Sequence, residues 1–239
     1  MRGPYPSYAM ALLEAKGYDS PLVVEQVWHA VVEVLEGRAA YERDGTAFPS
    51  RPDLPIHEAL RSLIRPDTTI ADFGGGLGGL FINAPDLFPP PCRRIVMEQA
   101  SMVAAGKRLA QEYRLGIEFL ESGHSRLPSV DVLVMSSVLS YLPDPWAQIT
   151  ALLQQASPEA ILLDRTAVCD GPSRWYRQIS TGYYSEPLTY PMQVLNRNQL
   201  LRALHGYRLV RRWHNSFDPA RPEHVGMLLL REESGEIGG

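Results

Sequence analysis

The pattern of apolar and polar positions changes character near residue 67. Before it, apolar residues recur at helical spacing. Leu22, Val23, Val24, Val27, Trp28, Val31, Val32, Val34 and Leu35 lie between Ser20-Pro21, which can cap and open a helix, and Gly37, which can end one. This predicts a helix over 21–36 that is too apolar for one wet face and is buried on more than one side. A loop at 41–46 and a second helix over 55–64 complete an N-terminal helical extension, 1–66, with no strong strand signal. From residue 68 the pattern becomes an alternation. Short apolar runs at 69–73, 94–98, 117–120, 130–136 and 160–164 read as strands, and 100–113 and 145–156 as helices. Short apolar strands with helices between them predict a parallel, doubly wound sheet. The stretch 166–195, rich in Tyr, Pro and Trp, reads as an irregular loop. A helix at 198–205 and strands at 207–214 and 225–231 follow, and their short linker suits an antiparallel hairpin. The expected fold is α/β: a mostly parallel seven-stranded sheet over 67–232, closed by that hairpin, with a disordered polar tail at 233–239.

Composition narrows the function classes. The chain has 239 residues, 45% of them hydrophobic and 21% charged, with a net charge of −4. Such a balance leaves no electrostatic footprint for nucleic acid or an anionic membrane. The longest apolar stretch, 130–142, contains Asp131 and three serines and falls short of a membrane span. Two cysteines, Cys92 and Cys169, supply neither a disulfide framework nor zinc spacing, so no metal is expected. The Gly-Pro-Tyr-Pro start is no secretory signal, and a reduced, cytoplasmic setting is the simplest expectation.

The candidate chemistry sits where the first strand ends, in Thr-Ile-Ala-Asp-Phe-Gly-Gly-Gly-Leu-Gly-Gly, residues 69–79. Asp72, Gly74, Gly76 and Gly78 fit the D-x-G-x-G-x-G loop of S-adenosylmethionine (SAM) enzymes. Gly74, Gly76 and Gly79 fit the dinucleotide fingerprint. Glycines, Gly75 included, let backbone approach a ligand closely. Glu98, at the end of the second strand beside Gln99, can accept hydrogen bonds from a ribose in either case. Two features favour SAM. Asp72 would repel a pyrophosphate but suits an ammonium or sulfonium. Pro85 and Pro89-Pro90-Pro91 interrupt the segment behind the loop, so it offers no long helix to a pyrophosphate. Ser136 and Ser137, where the fourth strand opens, suit the methionine portion. Glu121-Ser122-Gly123-His124 would flank the adenine, although Ser122 and His124 read equally well as loop residues facing water.

The runs Asp72–Gly78, Val96-Met97-Glu98-Gln99, Ser136 to Leu142 and Asp164-Arg165-Thr166, in this order, resemble a bacterial family of SAM-dependent methyltransferases. That family is often encoded among genes for O-antigen and other surface polysaccharides. Gly17-Tyr18-Asp19-Ser20 and Tyr41-Glu42-Arg43-Asp44-Gly45 also match it, so the resemblance covers about residues 15–230. It implies a class I methyltransferase-type, Rossmann-like fold with SAM as cofactor, and leaves the acceptor undefined.

The expected activity is methyl transfer to a small-molecule or glycan-linked acceptor, on a hydroxyl oxygen. An oxygen acceptor calls for alignment and a general base. Asp164, ending the fifth strand, is a candidate base or acceptor anchor with Arg165; an ion pair between the two that fixes the next loop is the structural alternative. Tyr141, Trp175, Tyr183, Tyr184 and Tyr190 are candidate acceptor contacts, as rings that could stack on a sugar or flat acceptor, and Gln178 is a weaker, polar one. Some of those rings would be core or dimer contacts instead. His214 is a weaker candidate, and His29 reads as structural. Glu42, Arg43 and Asp44 would form a lid or a charged turn. The helix at 21–36 suits a homodimer contact or a buried cap. An NAD(P)-dependent oxidoreductase is the alternative enzyme, but no Tyr-x-x-x-Lys occurs and the only lysines are Lys16 and Lys107. A non-catalytic SAM-binding protein is the third reading.

Overall fold

The computed structural model describes residues 1–15, 17, 20–180, 187–215 and 222–232. Strand β1 (Arg2–Tyr5), helices α1 (Tyr8–Leu12) and α2 (Pro21–Leu35), the pair β2 (Tyr41–Arg43) and β3 (Thr46–Phe48), and helix α3 (Pro55–Leu63) precede the glycine turn. Then come β4 (Thr69–Phe73), α4 (Gly79–Asn83), β5 (Arg93–Glu98), α5 (Ala100–Tyr113), β6 (Ile117–Glu121), β7 (Val132–Ser136), α6 (Pro145–Ala156) and β8 (Ala160–Cys169). The chain continues through β9 (Arg174–Ser180), β10 (Leu188–Asn196), α7 (Arg197–Ala203), β11 (Tyr207–His214) and β12 (Glu223–Arg231). Local chemistry sets several of these ends. Asp144 caps α6 by accepting from the Trp146 and Ala147 N–H groups, and Asn196 caps α7 by accepting from that of Gln199.

Seven strands make the expected sheet, in the order β6-β5-β4-β7-β8-β12-β11. The pairs from β6 to β8 are parallel, and β12 and β11 close the edge antiparallel. The order reverses between β4 and β7, and in such sheets the crevice at the strands' carboxyl ends at that point is where ligands bind. Side chains alternate across the sheet. Ile70, Val132 and Leu162 pack in one buried layer with residues of α2, α3 and α5. Ala71, Leu133 and Ile161 pack in the other with α6 and α7.

Two sequence expectations are corrected. The N-terminal segment is not free of strands. Tyr41–Arg43 and Thr46–Phe48 form a hairpin around Asp44-Gly45, both at positive φ (51° and 76°), the conformation an Asp-Gly hairpin turn requires. Nor is 166–195 an irregular loop. Strand β8 runs beyond the parallel sheet to Cys169, and β10 joins it through Leu195–Val168 and Asn196–Cys169. Strand β9 pairs antiparallel with β10, and β1 with β9, so ten strands are connected. Pro191 lies within β10 at a position that pairs with β9 alone. The tail 233–239 lies outside the described residues.

Candidate active site

The carboxyl ends of β4, β5, β7 and β8 open into a cavity of about 690 Å³. The glycine turn forms its floor. Gly74, Gly76 and Gly78 have positive φ (77°, 58° and 88°). A Cβ at Gly76 would meet no atom within 4 Å, so bare backbone faces open space there. A Cβ at Gly75 would lie 2.5 Å from Asp72 Oδ2, so glycine is what allows the Asp72 carboxyl to tuck under the turn. Gly78 does not face the cavity; it starts α4 and packs toward Ile117.

Asp72 is buried, and its Oδ1 has no hydrogen-bond partner among the described residues. Burial pushes its carboxyl up to about 7, against the pull of the Arg165 charge. Glu98 accepts from the Gln99 N–H at 2.6 Å and from that of Gly76. Burial also pushes Glu98 up, and those two N–H groups oppose the shift. Gln99, Ser122, Ser136 and Ser137 line the same cavity. His124 is exposed and pairs with Glu121.

Consecutive strand residues normally point to opposite faces, yet Asp164 and Arg165 both line the cavity. The cause is a bulge. Leu163 pairs with Met227 and Thr166 with Val225, so Asp164 and Arg165 together oppose Gly226. Arg165 takes φ of 50°, a strained value for a non-glycine residue. Gly226 is indispensable here, because the Trp213 indole lies across it where a Cβ would be. That indole donates to Asp164 Oδ1 at 2.8 Å, and Asn215 Nδ2 donates to the same oxygen at 2.7 Å. Asn215 Oδ1 in turn accepts from the Arg165 N–H at 3.1 Å. Asp164 Oδ2 is left facing the Ser136 hydroxyl at 3.4 Å and Arg165 Nε at 3.7 Å.

The β2–β3 hairpin forms the opposite wall. The Asn83 side-chain amide grips the Glu42 backbone twice, accepting from its N–H and donating to its carbonyl, both at 2.8 Å. This clamps the hairpin to α4 and buries the Glu42 carboxyl. Its Oε1 accepts from the Gly45 N–H at 3.0 Å. Its Oε2 lies beside Gly79, 2.9 Å from where a Cβ would stand, and makes no hydrogen bond among the described residues. Burial pushes Glu42 up to about 7. His57, on α3, also lines the cavity, and burial holds its imidazole below the usual range.

Of the expected acceptor contacts, Tyr141 lines the cavity. Burial pushes its phenol up, and its hydroxyl donates to Gln178 Oε1 at 3.2 Å. Gln178 and Tyr190 stand behind it, Tyr190 edge-on at 5.4 Å. Trp175 is one layer further out, packed edge-on against the cavity-lining Tyr8. Tyr183 and Tyr184 lie outside the described residues. The sequence reading placed Glu42 in a lid or a charged turn and not as a cavity carboxyl, and it did not mark His57. The Asp44-Gly45 turn signal could have found Glu42; nothing in the α3 pattern marks His57 as facing a cavity.

Among the described residues no group of three or more His, Cys, Asp or Glu side chains could hold a metal ion. No described helix is long and apolar enough to cross a membrane. No protein-family model matches the sequence, and no curated protein matches it. Solved structures do match. The glycopeptide N-methyltransferase MtfA complexed with sinefungin superposes with a TM-score of 0.53 at 13% identity, over 86% of this chain and 97% of that one. The N-terminal domain of EvdMO1, in the presence of SAH and D-fucose, gives 0.53 at 14% identity, over 87% and 97%. MtfA with S-adenosylhomocysteine (SAH) gives 0.51 at 15% identity, over 96% and 100%. The sheet order, the glycine turn after the first parallel strand and these likenesses together give the chain the fold of the class I SAM-dependent methyltransferases.

Proposed function

We propose that the protein is a SAM-dependent methyltransferase acting on a hydroxyl of a small-molecule or glycan-linked acceptor. The observation that carries this reading is the unpaired, buried Asp72 Oδ1 beneath an open glycine turn. A buried carboxylate without a partner is costly, and a cationic ligand removes the cost. Asp72 would take the ammonium of SAM, Glu98 the ribose hydroxyls, and Ser136 and Ser137 the methionine chain, with Ser122 and Gln99 toward the adenine. When bound, SAM supplies an electrophilic methyl group on a positively charged sulfur.

The protein's own part is alignment and proton removal. A carboxyl near 7 with a free oxygen is suited to accept a proton at neutral pH, and Glu42 meets both conditions. Asp164 is the poorer base. Its Oδ1 is spent on Trp213 and Asn215, which fits an anchor that holds Arg165 and one cavity oxygen in place.

Calorimetry tests the cofactor assignment. Wild-type protein should bind SAH and not NADH, and Asp72→Ala or Gly76→Val should abolish that binding. Binding of NADH in place of SAH would overturn it. For the base, Glu42→Gln should lower kcat about a hundredfold or more and remove the rise of activity through about pH 7, with SAH affinity retained. An unchanged pH profile would exclude Glu42 from that role.

A further inference from the structure

Two arginines line the cavity, Arg43 and Arg165, and Arg165 is the less exposed of the two. The Arg165 side chain is 24% exposed, yet among the described residues its one hydrogen bond is a long one, from Nε to the Ser136 hydroxyl at 3.4 Å. The carboxylates beside it stand beyond hydrogen-bond distance, Asp164 at 3.7 Å and Asp44 at 3.8 Å. Neither terminal nitrogen makes a hydrogen bond among the described residues. The fold nevertheless spends a bulge, a strained φ, Gly226 and the Asn215 bridge on turning this side chain inward. An ion pair alone would not need that construction. Two phenols, Tyr41 and Tyr141, line the cavity close enough to Arg165 to feel its charge.

We propose that Arg165 recognises an oxyanion of the acceptor, a carboxylate or phosphate set apart from the hydroxyl that is methylated. A planar fork of N–H donors matches either group in a bidentate way. Asp44 holds the place in its absence. It is 59% exposed and not hydrogen-bonded to the guanidinium, so a ligand displaces it at little cost. Arg165 lies two strands from Asp72 in the order β4-β7-β8, on the far side of Ser136 and Ser137, away from the ribose carboxylate Glu98. The guanidinium therefore stands away from the ribose, and the methionine carboxylate of the cofactor is the competing occupant that the test separates. The inference deepens the methyltransferase reading and rests on it.

The test uses matched probes on the full chain saturated with SAH: para-hydroxybenzoate against its methyl ester, glucuronate against glucose, and a hexose phosphate against the free hexose. At least one acid should bind about tenfold or more tighter than its neutral partner. Arg165→Met should erase that preference and leave SAH affinity within about twofold. Asp44→Asn should tighten the acid severalfold by removing its competitor. Equal binding of every acid and its neutral partner would overturn the proposal, and so would a loss of acid binding in Asp44→Asn. Weaker SAH binding by Arg165→Met with methylthioadenosine binding unchanged would also overturn it, by assigning the guanidinium to the cofactor's own carboxylate. Absence of SAH binding by the wild type would instead sink the methyltransferase reading, and the acid comparison would still be read on the SAH-free protein.

Discussion

Asp72 and Glu42 store a charge problem at the scale of single residues. Burial raises both carboxyls from ordinary values of 3.8 and 4.5 to about 7. Between those limits the folded protein binds more protons than the unfolded chain, so stability falls as pH rises from about 4 to about 7. Ligand-free protein should therefore melt several degrees lower at pH 8 than at pH 5.5. Asp72→Asn removes one of the two charges, so it should flatten that decline and raise the Tm at pH 8 while losing SAH binding. A thermal-shift series across pH measures both effects, and a steeper decline in the variant would contradict the burial argument.

At the scale of elements, the clamp between Asn83 and the β2–β3 hairpin is the joint to test. Asn83→Ala leaves the Glu42 N–H and carbonyl without partners in a buried place, at a cost of about 1–3 kcal/mol. Urea unfolding should show that loss, with faster hydrogen exchange over residues 41–48. The parallel strands were legible because each is a short apolar run, as in Val132–Ser136. Strands β9 and β10 were not, because Arg174–Ser180 and Leu188–Asn196 mix aromatic, charged and proline residues. They are held by pairing with each other and with the end of β8, a tertiary cause that periodicity does not carry. The same holds for the site. The cavity positions of Asp72, Glu98, Gly74, Gly75 and Gly76 were readable from spacing and that of Gly78 was not, whereas the inward turn of Arg165 depends on the register between β8 and β12, strands far apart in sequence.

Across the whole molecule, the cavity is closed by parts of the chain remote in sequence, with Tyr41 and Glu42 on one side and Asp164 and Asn215 on the other. A ligand held between them couples their stabilities. SAH at about a hundred times its Kd should add about 2.7 kcal/mol to the unfolding free energy. Amide exchange should slow at the glycine turn and in the β2–β3 hairpin together. Slowing at the turn alone would mean that the hairpin takes no part in closing over the cofactor. The Trp213 indole, lying flat on Gly226 with its N–H on Asp164, turns the bulge into an optical probe. The chain has four tryptophans, and among the described residues this one alone donates to a cavity carboxylate. Its emission therefore senses the electric field around Asp164, and a protein keeping Trp213 while Trp28, Trp146 and Trp175 are changed to Phe would signal arrival of the proposed acceptor with no label attached.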